Sequence, residues 1–230
     1  MKSTQSIVRV NGILLVLLFS ISSIAAALAG SVGDYNIAAE EIGSLLERIA
    51  EHKELHMAEI GFDFFSYIIT VILATTMFFT FSVYDRLWAL LGMVGIICGA
   101  VILAAHDIPH FVLPWIADTF VAAVGDDSMS LKYMANIVLM SAMWGLSVGV
   151  SFLGLGFMAY AVLLIKSRPV PLIFGWLGAV SGVLLSVGVW LPRYDEAFYS
   201  LFVILASPLG LWQLAFGIWL IAKGVREHDA

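Results

Sequence analysis

The sequence predicts an all-α polytopic membrane protein, a bundle of six transmembrane helices with an amphipathic helix and a re-entrant or interfacial segment on its outer face. Three observations predict it. The chain is 61% hydrophobic and only 12% charged, with a mean hydropathy of +1.00, whereas soluble domains are about 45–50% apolar and about 25% charged. Six stretches reach the roughly 20 residues that a helix needs to cross a hydrocarbon core about 30 Å thick. Their apolar interiors (13–28, 64–83, 87–105, 137–165, 172–191 and 201–222) contain no Asp, Glu, Lys, Arg or His.

In chain order, the first span covers 11–30. Its basic start, apolar middle and Ala27-Leu28-Ala29 also suit a secretory signal. The apolar stretch exceeds the usual 7–15 residues of a signal core, so an uncleaved span is expected. An outer helix follows over 35–60, where Ile42, Leu45, Leu46, Ile49, His56, Met57 and Ile60 recur every three or four residues. Glu47, Glu51 and Glu54 fall largely off that stripe, as do Glu40 and Glu41. Asp34 or Asn36 would cap its start and Gly61 its end. It should lie along the membrane or pack on the second outer piece.

Spans two and three, 62–83 and 87–105, form an antiparallel pair. The segment 106–125 is apolar but interrupted by His110, Pro114 and Asp118, so it is expected to stay at the outer interface, where carboxylate and imidazole remain wet. Span four, 136–165, is long enough to tilt or project. Spans five and six cover 170–191 and 199–222; Pro208 should kink the last and free one carbonyl. No stretch is left for a soluble domain, so residues 1–230 form one membrane domain.

Charge sets the expected orientation. With the N-terminus inside, Lys2, Arg9, Arg86, Lys166, Arg168, Lys223 and Arg226 are cytoplasmic, and Arg48, Lys53, Lys132 and Arg193 are outside. That asymmetry follows the positive-inside rule and puts both termini in the cytoplasm. All acids but Asp85, Glu227 and Asp229 then face outward. The net charge of −6 argues against a nucleic-acid partner. The single cysteine, Cys98, excludes an internal disulfide and a thiolate metal cage, and its mid-span place suits packing.

Four of the five histidines, His52, His56, His106 and His110, fall on the outer face with Glu59, Asp63, Asp107 and Asp118. Imidazoles four residues apart share a helical face, and Glu59 lies on it three residues further on. Two such pairs with carboxylates could bind zinc, iron, copper or a haem iron. HKELH lacks the Glu that directly follows the first His of a zinc-protease helix, so that chemistry is not supported. The plainer reading is that these side chains satisfy backbone at helix breaks; a pH-sensing role is a third.

Inside the spans the polar residues are neutral. Thr70, Thr75, Thr76, Thr80, Ser141, Ser147, Ser151, Ser181 and Ser186 should mostly bond back to their own helices. Asn136 and Gln213 are the candidates for interhelical bonds or a polar cavity. Spans without ionisable groups do not suit proton pumps or voltage sensors. Gly95 and Gly99, Gly145 and Gly149, and Gly178 and Gly182 have the small-residue spacing that lets helices touch.

GLGFMAYAVLLIKSRPVPLIFGWLGAVSG (154–182) and LWQLAFGIWLIAKGV (211–225) combine a glycine-rich fourth span, a Lys/Arg-Pro turn and a last helix closing in Lys-Gly-Val. This pattern resembles a bacterial family of six-span membrane proteins known as a domain of unknown function of the DUF4386 type. The resemblance implies six spans and an inner-membrane setting; it carries no catalytic residues over. The leading expectation is therefore a non-enzymatic protein with no cofactor, its partners the lipid bilayer and a second copy or another membrane protein, as in a small complex subunit. The alternatives are a facilitator for a neutral small molecule, using Asn136 and Gln213, and an outer-face metal- or haem-binding redox protein using His52, His56, His106 and His110.

Overall fold

The computed structural model describes residues 2–32 and 42–226. Among them the structure is helical, without strands. The helices are α1 (Lys2–Val32), α2 (Ile42–Glu51), α3 (Lys53–Phe81), α4 (Arg86–Asp107), α5 (Leu113–Ala122), α6 (Asp126–Ser167), α7 (Leu172–Gly188), α8 (Leu191–Tyr194) and α9 (Tyr199–Ala222), with short 3-10 turns before α5 and α9. Six are long and apolar enough to cross a membrane, as the sequence predicts. Contacts divide the chain into two compact units, one of Met1–Ser20, Tyr67–Val101 and Ser147–Ala230, the other of Ile21–Ser66 and Ile102–Leu146.

The first unit is packed through glycine. A Cβ added to Gly95 of α4 would lie 2.8 Å from the Cα of Gly156, and one on Gly12 of α1 would lie 2.6 Å from the carbonyl oxygen of Gly217. Gly182 and Gly154 meet in the same way between α7 and α6. The expected small-residue stripes thus pack within the chain, because only a missing side chain lets backbones approach so closely. Where space opens, aromatics fill it: Trp212 covers Gly178, stacks on Phe216 with ring centres 5.0 Å apart, and donates its indole N–H to the Phe174 carbonyl at 2.7 Å.

Several hydroxyls in this unit bond to their own helices. Thr75 donates to Val71 O at 2.9 Å and Thr80 to Thr76 O at 2.9 Å, back-bonds of the expected kind. Ser186 and Ser151 also bond across helices, each hydroxyl 3.1 Å from the other's carbonyl, and the Trp190 indole donates to Ser151 Oγ at 2.8 Å. Pro208 lies inside α9 and cannot donate to Ile204 O; the Ser207 hydroxyl donates there instead, at 2.9 Å. Asn11, fully buried, donates to Thr80 Oγ1 at 2.7 Å, an interhelical bond that the sequence reading did not single out. Asp85 accepts from the N–H groups of Leu87 and Trp88 at the start of α4. Its bond from Lys166, at 2.8 Å, holds the carboxyl below the usual carboxylate range.

In the second unit α2 lays its apolar stripe on α5. Ile42, Leu45, Leu46 and Ile49 are buried with Leu113, Ile116 and Ala117, closed off by Leu131, Ala135 and Leu139 of α6. Arg48 donates to Val32 O at the end of α1, at 3.1 Å, and Lys53 pairs with Asp118. The outer helix expected over 35–60 differs in three respects. Its expected start and the Asp34 or Asn36 cap lie outside the described residues. It breaks at His52, whose carbonyl accepts from the N–H groups of Leu55 and His56 as α3 begins. From Lys53 the helix runs through Gly61 into the second span; a glycine stops a helix when it turns left-handed, and the positive-φ glycines among the described residues are Gly125 and Gly224. The segment 106–125 becomes the 3-10 turn Ile108–Val112 and α5, each with proline in its first turn, where the missing N–H has no helical partner to lose.

Candidate metal centre

All the residues of this centre belong to the second unit. α3 supplies His56, Glu59 and Asp63 over its first turns; the end of α4 supplies His106 and Asp107, and the 3-10 turn supplies His110. His56 is fully buried, and Glu59, Asp107 and His110 are 8%, 4% and 8% exposed. Ionisable groups withdrawn from water this far need compensating charge or hydrogen bonds.

Two imidazoles are fixed by backbone carbonyls. His106 Nδ1–H donates to Ala142 O at 2.6 Å, and His56 Nε2–H donates to His110 O at 3.1 Å. A carbonyl only accepts, so in each neutral ring the second nitrogen carries a lone pair. That nitrogen faces a carboxylate in both cases: His106 Nε2 is 3.2 Å from Asp107 Oδ1, and His56 Nδ1 is 3.7 Å from Glu59 Oε2. A proton or a metal ion placed between such a nitrogen and carboxylate would interact with both. A ring N–H anchored on a carbonyl, with the opposite nitrogen turned into the site, is also the usual arrangement around a bound metal.

His110 completes the group. Its ring centre lies 5.3 Å from that of His106 and 6.2 Å from that of His56, with the two planes inclined by 28°. One ligand atom each from His106, Asp107 and His110 lie within 4.8 Å of one another. Ligands at about 2.0–2.2 Å from zinc stand a little over 3 Å apart, so modest side-chain rotations close the set. Asp63 is within electrostatic reach of both Asp107 and Glu59. Gly145 makes room for this: a Cβ there would lie 3.0 Å from His106 Cβ.

Of the histidines selected from sequence, the structure brings His56, His106 and His110 together, and Glu59, Asp63 and Asp107 with them. His52 is left out. It sits in the one-residue turn between α2 and α3 and is only half-buried, whereas His56 is fully buried. Asn136 and Gln213 are partly buried; neither lines the two cavities described here. One cavity is an apolar groove of about 500 Å³ between α6 and α7, lined by Met158, Val162, Trp176 and Val183 with Lys166 at its edge. The other is an open recess of about 630 Å³ beside Glu47, Glu51 and Phe120. The carbonyls of Ala142 and His110, which orient the imidazoles, left no trace in the sequence reading, because every residue has such a group.

No curated protein and no solved structure matches the chain. The sequence model of the family described as a domain of unknown function (DUF4386) matches residues 10–224, nearly all of the chain. Helical order, apolar spans and this match agree, and the protein belongs to the DUF4386 family of multi-pass membrane proteins.

Proposed function

We propose that the protein is a metal-binding membrane protein, and that His106, Asp107 and His110 hold one divalent transition-metal ion at the outer end of its helices. The observation that carries this reading is the pair of carbonyl-anchored imidazoles whose remaining nitrogens point at carboxylates. A donor set of imidazole and carboxylate without thiolate suits Zn²⁺, Fe²⁺ or Mn²⁺. The setting we infer is a bacterial inner membrane with both termini cytoplasmic, which puts the centre on the outer side.

The test is retention of zinc. Full-length protein purified in mild detergent, stripped with a chelator and dialysed against Zn²⁺, is expected to keep the metal through size exclusion, as measured by elemental analysis. Asp107→Asn and His110→Ala are each expected to lose the ion bound by His106, Asp107 and His110. Wild-type protein that elutes without metal would show that protons alone compensate the cluster.

A further inference from the structure

The end of the first unit at which α6 stops is built from three short segments that hold one another. Lys166 Nζ donates to Asp85 at 2.8 Å and lies 5.7 Å from the centre of the Trp88 ring. The Arg226 N–H donates to Pro169 O at 2.8 Å, the Tyr84 hydroxyl donates to Arg226 O, and the Gln5 amide donates to Val225 O at 3.2 Å. The segments 82–86, 166–171 and 223–226 bring Arg86, Lys166, Arg168, Lys223 and Arg226 to this end, against Asp85 as their acid. We infer that this basic end and the apolar groove between α6 and α7 form one binding site for an anionic phospholipid, with its phosphate on Lys166 and Arg168 and one acyl chain in the groove. The site belongs to the first unit alone and is independent of the metal centre.

Three observations point the same way. First, the groove has the dimensions of a hydrocarbon chain. It is lined from Met158 to Lys166 on α6 and from Trp176 to Leu184 on α7, about 12 Å of helix at 1.5 Å per residue. Half of a hydrocarbon core about 30 Å thick is roughly 15 Å. A volume of about 500 Å³ over that length is roughly 7 Å across, whereas a helix with its side chains is about 10–12 Å wide. A chain of methylenes enters such a space; a whole helix of a second copy does not. The two walls are held together by close packing, since a Cβ on Gly175 would lie 2.6 Å from Ile165 Cγ1 and one on Gly182 would lie 2.6 Å from Gly154 O.

Second, the charge at the mouth of the groove complements this occupant. Lys166 lines the groove, its side chain is 53% exposed, and an ammonium keeps two donors after one bond to Asp85. Two residues on, Arg168 is exposed, and its guanidinium makes no hydrogen bond or ion pair among the described residues. Basic pockets between membrane helices on the cytoplasmic side bind anionic headgroups, and the orientation inferred above puts this end on that side. Third, Arg168 has a φ of 52°, the one positive value at a non-glycine among the described residues. Side chains rarely tolerate that backbone, and glycine is the usual residue where a helix end turns left-handed. The positive-inside rule asks only for basic residues on this side; it gives no reason to hold one in a conformation that glycine fits better. A phosphate at the groove mouth does.

Phosphatidylglycerol serves as the probe. Full-length protein in mild detergent is mixed with equal amounts of phosphatidylglycerol and phosphatidylcholine carrying identical acyl chains, and the lipid retained per chain is counted by native mass spectrometry. One phosphatidylglycerol is expected, preferred over phosphatidylcholine by about fivefold for each cation that contacts it. Arg168→Gly should lose about one such factor while its thermal transition stays at or above wild type, because glycine suits that backbone. Ala179→Phe, which fills the groove, should retain neither lipid although every basic residue is still present. Excess inorganic phosphate, compared with chloride at equal ionic strength, should leave retention by the wild type unchanged. Equal retention of the two lipids by the wild type, or an unchanged preference in Arg168→Gly, would overturn the site. Displacement by inorganic phosphate would overturn the part given to the acyl chain, and a dimer that Ala179→Phe dissociates would overturn lipid as the occupant. If Ala179→Phe does not fold, Arg168→Gly and the phosphate competition decide alone.

Discussion

At the scale of single residues, the strongest consequences fall where a side chain is missing. Gly145 faces His106 with no atoms of its own in the way, so Gly145→Val should push the imidazole off Ala142 O and weaken zinc binding at least tenfold with every ligand still present. Competition titration with a chromophoric chelator measures this, and an unchanged affinity would separate Gly145 from the centre. Gly95 and Gly61 make a contrasting pair. A Cβ on Gly95 meets the backbone of Gly156 at 2.8 Å, while one on Gly61 meets nothing within 4 Å. Gly95→Ala should therefore cost about 1–3 kcal/mol through overpacking, whereas Gly61→Ala should add roughly 0.5–1 kcal/mol by restricting the unfolded chain. Thermal unfolding in detergent should move the two variants in opposite directions. The sequence showed which residues could ligate a metal, because His and carboxylates are rare in so apolar a chain. It could not separate His52 from His56, since which of the two is buried is decided by tertiary packing.

At the scale of elements, α2 and its seat on α5 were legible for a simple reason. A stripe at helical spacing must be buried somewhere, and Leu113, Ile116 and Ala117 offer an apolar face. Leu46 is fully buried there, and Leu46→Ala should cost about 2–5 kcal/mol of that packing, seen as faster amide hydrogen exchange over residues 42–51. The Lys53–Asp118 pair should matter far less. Its side chains are 47% and 49% exposed, and exposed pairs contribute about 0–1 kcal/mol. Asp118→Asn should leave the exchange pattern of α2 nearly unchanged. Helix ends were harder to read than helix faces. Gly61 had the composition of a stop, but no turn of the chain demands a left-handed residue there, so α3 continues from the outer residues directly into its span. That continuity fixes His56, Glu59 and Asp63 on a rigid helix rather than on a loop.

At the scale of the whole molecule, composition and span length were enough to give six helices, because the bilayer tolerates few other ways to satisfy a backbone. The proposed threading, with both termini cytoplasmic, has a direct test: in a Cys98→Ser background, Ser31→Cys should react with an impermeant maleimide from outside intact cells, and Ala222→Cys only after permeabilisation. The opposite pattern would put the histidines in the cytoplasm. The convergence of His56, His106 and His110 was beyond the sequence, since residues 50 apart meet only through the packing of α3 against the end of α4. X-ray absorption at the zinc edge of the loaded protein examines that convergence most directly. Nitrogen and oxygen neighbours at about 2.0–2.2 Å, with the outer-shell scattering of at least two imidazoles that disappears in His106→Ala/His110→Ala, are the result predicted here; a shell of water oxygens without imidazole scattering would contradict it.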